Sequence, residues 1–308
     1  MHSRDLGAVR TATEQQIRDM LDIDRNSQYS SFRLGNIHNL SSLMLCDGND
    51  RLLAYAGHQS LDWDSNILAL RSARIGYLWS LGDYRVQRRR LSRLVKASID
   101  QDRDEQVEFM STRIPCEDIA SVHALEDNGF RLIESYLTFV SCSSAKADGP
   151  RPDDRVRPAG PADAGGVSQL AFEAFRYNRY MIDPLLPKKQ ARHSRLVWVQ
   201  NAFKGRAEAV YLAEVDKVIA GFLIMRPIEG DNDRKIGLID LIAVDSRFRG
   251  QGIGSSLVSQ ALRHYQGKVD LVEVGTQASN VAAVNLYQKM GFRFLRSEYS
   301  LHWHAELE

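Results

Sequence analysis

The spacing of apolar positions changes several times along this chain, and each change marks an element. The sharpest change falls at residues 235–262. Leu238-Ile239-Asp240-Leu241-Ile242-Ala243-Val244 predicts a strand over residues 235–244, and Leu257, Val258, Ala261 and Leu262 then fall at helical spacing. A short basic, glycine-rich segment joins them, so strand, tight loop and helix follow one another. Around this unit the pattern predicts a short strand from Val156, helices over 161–175 and 187–203, and a hairpin of 209–215 and 218–225 across Asp216-Lys217. A strand at 269–274, a helix from Asn280 and a closing strand at 293–303 complete the series. Periodicity alone supports a mixed α/β domain.

The front half reads as helical around Ile17, Met20, Leu21 and Ile23, behind the possible caps Thr11 and Thr13, and more weakly helical over 32–44. Strands are expected at 52–56 and 73–78, separated by residues 61–66, and a helix at 92–99. A strand at 107–110, a helix at 119–126 ending at Asn128-Gly129 and a strand at 131–140 follow. Residues 141–155 are polar and rich in Ser, Asp, Gly and Pro, which divides the chain into domains 1–142 and 155–308 with a linker at 143–154.

The two halves are related. Residues 114–140 lie on residues 276–302 without a gap, at a constant offset of 276 − 114 = 162, matching Ala120 to Ala282, Val122 to Val284, Gly129-Phe130-Arg131 to Gly291-Phe292-Arg293 and Ser135 to Ser297. Upstream, Ile75-Gly76 falls within one residue of Ile236-Gly237 in that register. A tandem duplication explains this. The functional positions are not shared, because Asp118 stands for Asn280, Leu125 for Tyr287, and the glycine-free run Arg85 to Arg90 for the glycine loop, where it reads best as a solvated helix face.

The loop carries the chemistry. Gly250, Gly252 and Gly254 permit a close backbone approach, and the start of the following helix offers N–H groups and a positive dipole, a combination suited to phosphate. A nucleoside-triphosphatase loop would end in Gly-Lys-Ser/Thr, and a dinucleotide fold would need Gly where Leu257 stands. Arg249-x-x-Gly252-x-Gly254 behind Leu-Ile-Ala-Val-Asp instead resembles the acetyl-coenzyme A signature of the GCN5-related N-acetyltransferases (GNAT). Asn280-Val281-Ala282-Ala283-Val284-Asn285-Leu286-Tyr287 with Met290-Gly291-Phe292 resembles that family's second signature.

The resemblance implies an α/β (α+β) protein of two tandem acetyltransferase folds, each a mixed central sheet flanked by helices, with a degenerate N-terminal copy. It implies acetyl-coenzyme A as donor, with Ile242, Ala243 and Val244 meeting the pantetheine arm as a substitute strand. Arg249, Gly250, Gln251, Gly252, Ile253, Gly254 and Ser255 would then hold the pyrophosphate, and Asn280 would touch the pantetheine arm while capping its helix. Tyr287 corresponds to the tyrosine that protonates the departing thiolate. A phenol titrates near ~10 and a thiol near ~8.5, so the phenol retains the proton it must give. Asp240 and Glu273 are candidates for the base that takes the amine proton, beside a structural ion pair or a water relay.

For the acceptor, Arg176, Tyr177, Arg179 and Tyr180, with Gln277 ahead of the catalytic helix, resemble the dTDP-fucosamine acetyltransferases, which acetylate the amine of a nucleotide-linked deoxyamino sugar. Their guanidinium and phenol groups suit an anionic, planar nucleotide or mark a basic helix end. A peptide or protein N-terminal, or other small-molecule amine, acetyltransferase is the alternative, and a non-catalytic acyl-coenzyme A sensor a third.

Composition narrows the partners. With 40 Lys+Arg against 39 Asp+Glu, the balanced charge argues against a nucleic-acid or membrane surface. Cys46, Cys116 and Cys142 are distant and lack metal-ligand or disulfide spacing, and the histidines, among them His193, His264, His302 and His304, share no ligand spacing, so no metal is expected and the thiols read as buried. No signal core or ~20-residue apolar span occurs, which implies a soluble cytoplasmic protein, a monomer or homodimer acting on a small-molecule amine.

Overall fold

The computed structural model describes residues 9–11, 41–142, 152–174, 178–229 and 234–305. The chain forms two compact units, Met1–Glu134 with Glu298–Glu308, and Ser135–Ser297.

The first unit contains β1 (Val9–Thr11), β2 (Ser41–Cys46), β3 (Leu52–Ser60), α1 (Asp62–Leu68), β4 (Ser72–Ser80), α2 (Tyr84–Asp104), β5 (Phe109–Pro115) and α3 (Ile119–Glu126). Its strands run β1-β2-β3-β4-β5, and beyond β5 lies the end of the chain's last strand, β12 (Arg293–His304), antiparallel with Leu301 opposite Thr112. One apolar cluster joins Leu91, Leu94 and Val95 of α2 and Leu125 of α3 to Ala54, Ile75, Met110 and, from β12, Leu301 and Trp303.

In the second unit the order is β6-β11-β10-β9-β8-β7. Here β6 (Arg131–Cys142) supplies its residues from Tyr136 onward to β11 (Leu271–Gln277), and β7 (Val156–Pro158), β8 (Ala209–Val215), β9 (Val218–Glu229) and β10 (Lys235–Val244) complete the sheet. The helices are α4 (Ala164–Ala174), α5 (Arg179–Ile182), α6 (Lys188–Asn201), α7 (Ile253–Tyr265) and α8 (Val281–Lys289). A bulge in β10 makes the strand serve two cores. Ile239 packs with Leu257, Val258 and Tyr287 on the face under α7 and α8, whereas Leu241 and Ala243 pack with Val167, Ala171 and Val199 on the face under α4 and α6. Each fully buried Leu or Val there contributes roughly 1.5–3 kcal/mol, so the bulge is fixed by apolar burial on both sides.

The last strand of each sequence half thus completes the sheet of the other half's unit. Sequence boundaries at 142 and 155 follow the repeat, whereas the compact units divide at 134/135 and 297/298 because β6 and β12 are exchanged. Most of the expected linker, residues 143–151, lies outside the described residues, as do 17–23 and 32–40. Residues 41–44, read as the end of a helical pattern, are strand, since β2 is paired to β3. Residues 61–66, read as a separator, fall largely in helix α1, and the helix expected at 92–99 extends over Tyr84–Asp104. Burial of the thiols is uneven, with Cys46 buried and Cys142 exposed.

The duplication is visible in the ladders, with one correction. In the first unit the β3–β4 register skips Gly76, between Ile75 and Tyr77; in the second the β9–β10 register skips Asp240, between Ile239 and Leu241. Ile75 therefore corresponds to Ile239, an offset of 239 − 75 = 164, and not to Ile236. The offset returns to 162 at β5 and β11, where Thr112 and Val274 are the last parallel partners of Ile75 and Ile239 (274 − 112), so the difference is absorbed in the segments between those strands.

Candidate active site

The site begins where two strands part. Parallel pairing of β10 with β11 runs from Ile236 opposite Leu271 to Ile239 opposite Val274 and stops, while β10 stays paired to β9 as far as Val244 opposite Gly221. The edge of Ile242, Ala243 and Val244 turned away from β9 is thereby left without a strand, and backbone polar groups there need a partner. The bulge at Asp240 produces the divergence, since an extra residue bends and twists a strand.

Beyond Val244 the loop is locked by its own side chains. Asp245 accepts from Arg247 N at 2.9 Å and from Arg247 Nη2 at 2.6 Å, and this arginine holds its carboxyl below the usual carboxylate range. Arg249 Nε donates to the Val244 carbonyl at 3.4 Å. Gly250 and Gly252 have φ of +78° and +83°, the left-handed region that side chains avoid, and a Cβ on Gly250 would meet nothing within 4 Å. α7 starts at Gly252 with no side-chain cap, so its first N–H groups face outward as an uncapped anion site. An uncapped helix start behind left-handed glycines is the kind of place that accepts a phosphate group. At Gly254 a Cβ would crowd Leu286 at 3.1 Å, so this glycine also lets α8 pack closely against the start of α7.

The front copy lacks this opening. Its equivalent connection is not Arg85 to Arg90, which lie in the first turns of α2, but the residues before them, where Asp83 caps the helix by accepting from Val86 N at 3.0 Å. A carboxylate of the chain itself occupies the place that Gly252 leaves open.

Tyr287, on α8, is 2% exposed and lies between Phe139 and Phe292, each ring 6.0 Å away. Burial, with a smaller contribution from Tyr136, pushes its phenol well above the ordinary range. Asn280 caps α8, accepting from Ala283 N at 3.4 Å and donating to Thr276 Oγ1 at 3.1 Å.

The opposite face of the sheet carries the polar groups. Strand alternation puts Glu273, Gly275 and Gln277 on the side away from Val272 and Val274, and the register adds Tyr136 opposite Gln277. The Tyr136 phenol lies directly over Gly275, the first residue of β11 past the parallel ladder, where any side chain would overlap its hydroxyl. Sequence reasoning missed Tyr136, because β6 was assigned to the other domain. Asp240 accepts from Trp198 Nε1 at 2.8 Å and from Arg226 Nε at 3.1 Å. The Arg206 guanidinium lies 3.7 Å from the Trp198 ring centre, and Arg195, on the same helix as Trp198, has Tyr136, Arg179 and Asp240 as charged or polar neighbours. Burial lowers Arg195 from the usual guanidinium value, whereas Arg206 is exposed. Glu273 is buried, 3.9 Å from Arg296.

Of the expected acceptor residues, Arg176 and Tyr177 lie outside the described residues. Arg179 donates to the Tyr180 hydroxyl at 2.5 Å and covers the same ring at 4.7 Å, so the Tyr180 face is already stacked. Gln277 ends β11, its carbonyl accepting from Asn280 N at 3.0 Å.

A diverging parallel strand pair, an uncapped glycine-started helix beside it and a buried phenol on the next helix define the acetyltransferase class. Residues 173–292 match the model of the Acetyltransferase (GNAT) family, and the second half of the chain is a GNAT-family domain. It is an N-acetyltransferase, and acetyl-coenzyme A is the donor this family uses. The chain is 26% identical over 255 residues to the spore coat polysaccharide biosynthesis protein SpsD of Bacillus subtilis, covering 82% of this chain and 85% of that one. It is also 26% identical over 167 residues to mouse N-alpha-acetyltransferase 30, covering 54% of this chain and 43% of that one. Among solved structures, a tandem GNAT protein from the clavulanic acid biosynthesis pathway superposes with a TM-score of 0.61 at 13% identity, over 98% of this chain and 99% of that one, and shares the fold. Among the described residues no helix is long and apolar enough to cross a membrane.

Proposed function

We propose that the protein transfers the acetyl group of acetyl-coenzyme A to the primary amine of a nucleotide-linked amino sugar, by direct attack in a ternary complex. The observation that carries this reading is the guanidinium-rich, aromatic face around Asp240, where Arg195, Arg206 and Arg226 cluster with Trp198 on the sheet face opposite Tyr287. Arginine forks bind phosphate oxygens in pairs, and the Trp198 ring holds the Arg206 guanidinium in place by stacking. The similarity to a polysaccharide biosynthesis protein over 82% of the chain supports an acceptor of the sugar class.

Bound coenzyme supplies the activated thioester. The chain's residues do the rest: the edge of Ile242 to Val244 aligns the pantetheine arm, the loop of residues 249–255 fixes the pyrophosphate, Asp240 or Glu273 receives the amine proton, and Tyr287 gives a proton to the departing sulfur. A peptide amine is the second reading, favoured by the N-alpha-acetyltransferase similarity.

The deciding measurement is thiol release from acetyl-coenzyme A with nucleotide-linked amino sugars, free amino sugars and peptides, each at matched concentration. The highest kcat/KM is expected with a nucleotide-linked amine. Faster turnover of a peptide amine, or equal turnover of the free sugar, would remove the nucleotide from the acceptor.

A further inference from the structure

We propose that Arg155, just ahead of the edge strand β7, is a coenzyme-binding residue that clamps a phosphate of acetyl-coenzyme A onto the glycine loop. The inference rests on residues 249–255 being the pyrophosphate cradle. Arg155 belongs to no recognised motif and adjoins the segment that reads as linker.

Its geometry is that of a guanidinium held by one edge and aimed with the other. The Arg155 carbonyl accepts from Glu214 N at 2.8 Å, which anchors the backbone to β8. Its Nε and Nη2 donate to Asp153 at 3.0 and 2.7 Å, and Asp153 in turn accepts from Ser256 Oγ at 2.5 Å, in the first turn of α7. The fork is therefore tied to the very helix whose start is left uncapped. Nη1 points over the loop, 3.4 Å from the Gln251 carbonyl, and Nη2 is the nearest atom, at 4.0 Å, to where a side chain on Gly252 would begin. Arg247 is committed to Asp245 and Arg249 reaches back to the Val244 carbonyl. Arg155 is thus the cation that overlies Gly252. A guanidinium has five donors, so the Nη1 group serves a phosphate oxygen while the opposite edge stays on Asp153, which acts as a positioning residue.

The phosphate is either the pyrophosphate or the 3′-phosphate of the same ligand, and two titrants separate them. Calorimetry of the full chain with acetyl-coenzyme A and with its 3′-dephospho form would be run on wild type, Arg155→Met, Arg155→Lys, Arg157→Met and Gly252→Val. A charge-assisted hydrogen bond corresponds to about ten- to a hundredfold in Kd. Arg155→Met is expected to weaken binding by that factor at an unchanged thermal transition, and Arg155→Lys, which keeps the charge without the fork, to recover part of it. Loss with both titrants assigns the pyrophosphate; loss with acetyl-coenzyme A alone assigns the 3′-phosphate. Arg157, on β7 and paired with Asp163 and Glu214, should leave Kd unchanged when replaced. Wild-type Kd in Arg155→Met for both titrants, or an equal loss in Arg157→Met, overturns the assignment. If Gly252→Val abolishes binding while Arg155→Met does not, Arg155 alone falls; if neither matters, the loop reading has failed.

Discussion

At the scale of single residues, burial sets the protonation of the candidate proton donor. Tyr287 lies among Phe139, Phe292 and the rest of the core under α8, and desolvation raises its phenol, so the hydroxyl keeps its proton through neutral pH and beyond the ordinary phenol value near ~10. That is the state a donor to a thiolate needs. Tyr287→Phe preserves the packing and removes the donor. Turnover should fall about a hundredfold or more, as for loss of a general acid, with little change in acetyl-coenzyme A affinity. Rapid-quench measurement of the chemical step tests this, and an unchanged rate removes Tyr287 from the mechanism. In the wild type the raised phenol also predicts no loss of turnover from its ionisation up to about pH 9. Tyr287 and Asn280 were legible because their spacing in one helix is a local pattern. Tyr136 was not, because its place over Gly275, 139 positions later (275 − 136), depends on the β6–β11 register, and no local pattern encodes a cross-strand partner.

At the scale of elements, the contrast between the two helix starts explains what the duplication kept and what it lost. α2 begins with the Asp83 carboxylate on its own N–H groups, whereas α7 begins at left-handed Gly252 without a side-chain cap. An internal carboxylate satisfies the donors and dipole that would otherwise attract a phosphate. One coenzyme per chain should bind, by isothermal calorimetry, and a stoichiometry of two would refute the reading of the front copy as inactive. Gly252→Val forces a branched residue into a left-handed conformation, at a cost of order 1–3 kcal/mol, and blocks the approach to the amides. Coenzyme binding should be lost while the apo protein still melts cooperatively; retained affinity would place the pyrophosphate elsewhere. Gly254→Val tests packing against Leu286 instead. β10 and α3 have the boundaries that the sequence pattern predicts, β10 because its apolar run is long and α3 because Asp118 and Asn128-Gly129 mark its two ends. Residues 41–46 and α1 were missed because a six-residue strand and a seven-residue helix give too few repeats to reveal a period.

At the scale of the whole molecule, the repeat gives the number of folds but not which strand completes which sheet. A sequence offset of 162 is the same whether β6 and β12 stay with their own halves or are exchanged, so only pairing decides. A fragment spanning residues 155–308 retains every residue of the GNAT match but loses the β6 residues Tyr136–Cys142 that pair with β11, and with them Phe139, 1% exposed, against the Tyr287 ring. Losing a buried Phe alone costs about 3–5 kcal/mol, against a domain stability of about 5–15 kcal/mol, and the bare edge of β11 invites association. Fragment 155–308 should therefore be aggregated or inactive, whereas a fragment of residues 131–308, which restores β6, should regain solubility and measurable thiol release. Size-exclusion chromatography and the acetyl-transfer assay on both fragments check this. Equal monodispersity and activity in the two would mean that the second unit tolerates the loss of the strand it takes from the front half, and that strand exchange contributes nothing to the catalytic fold.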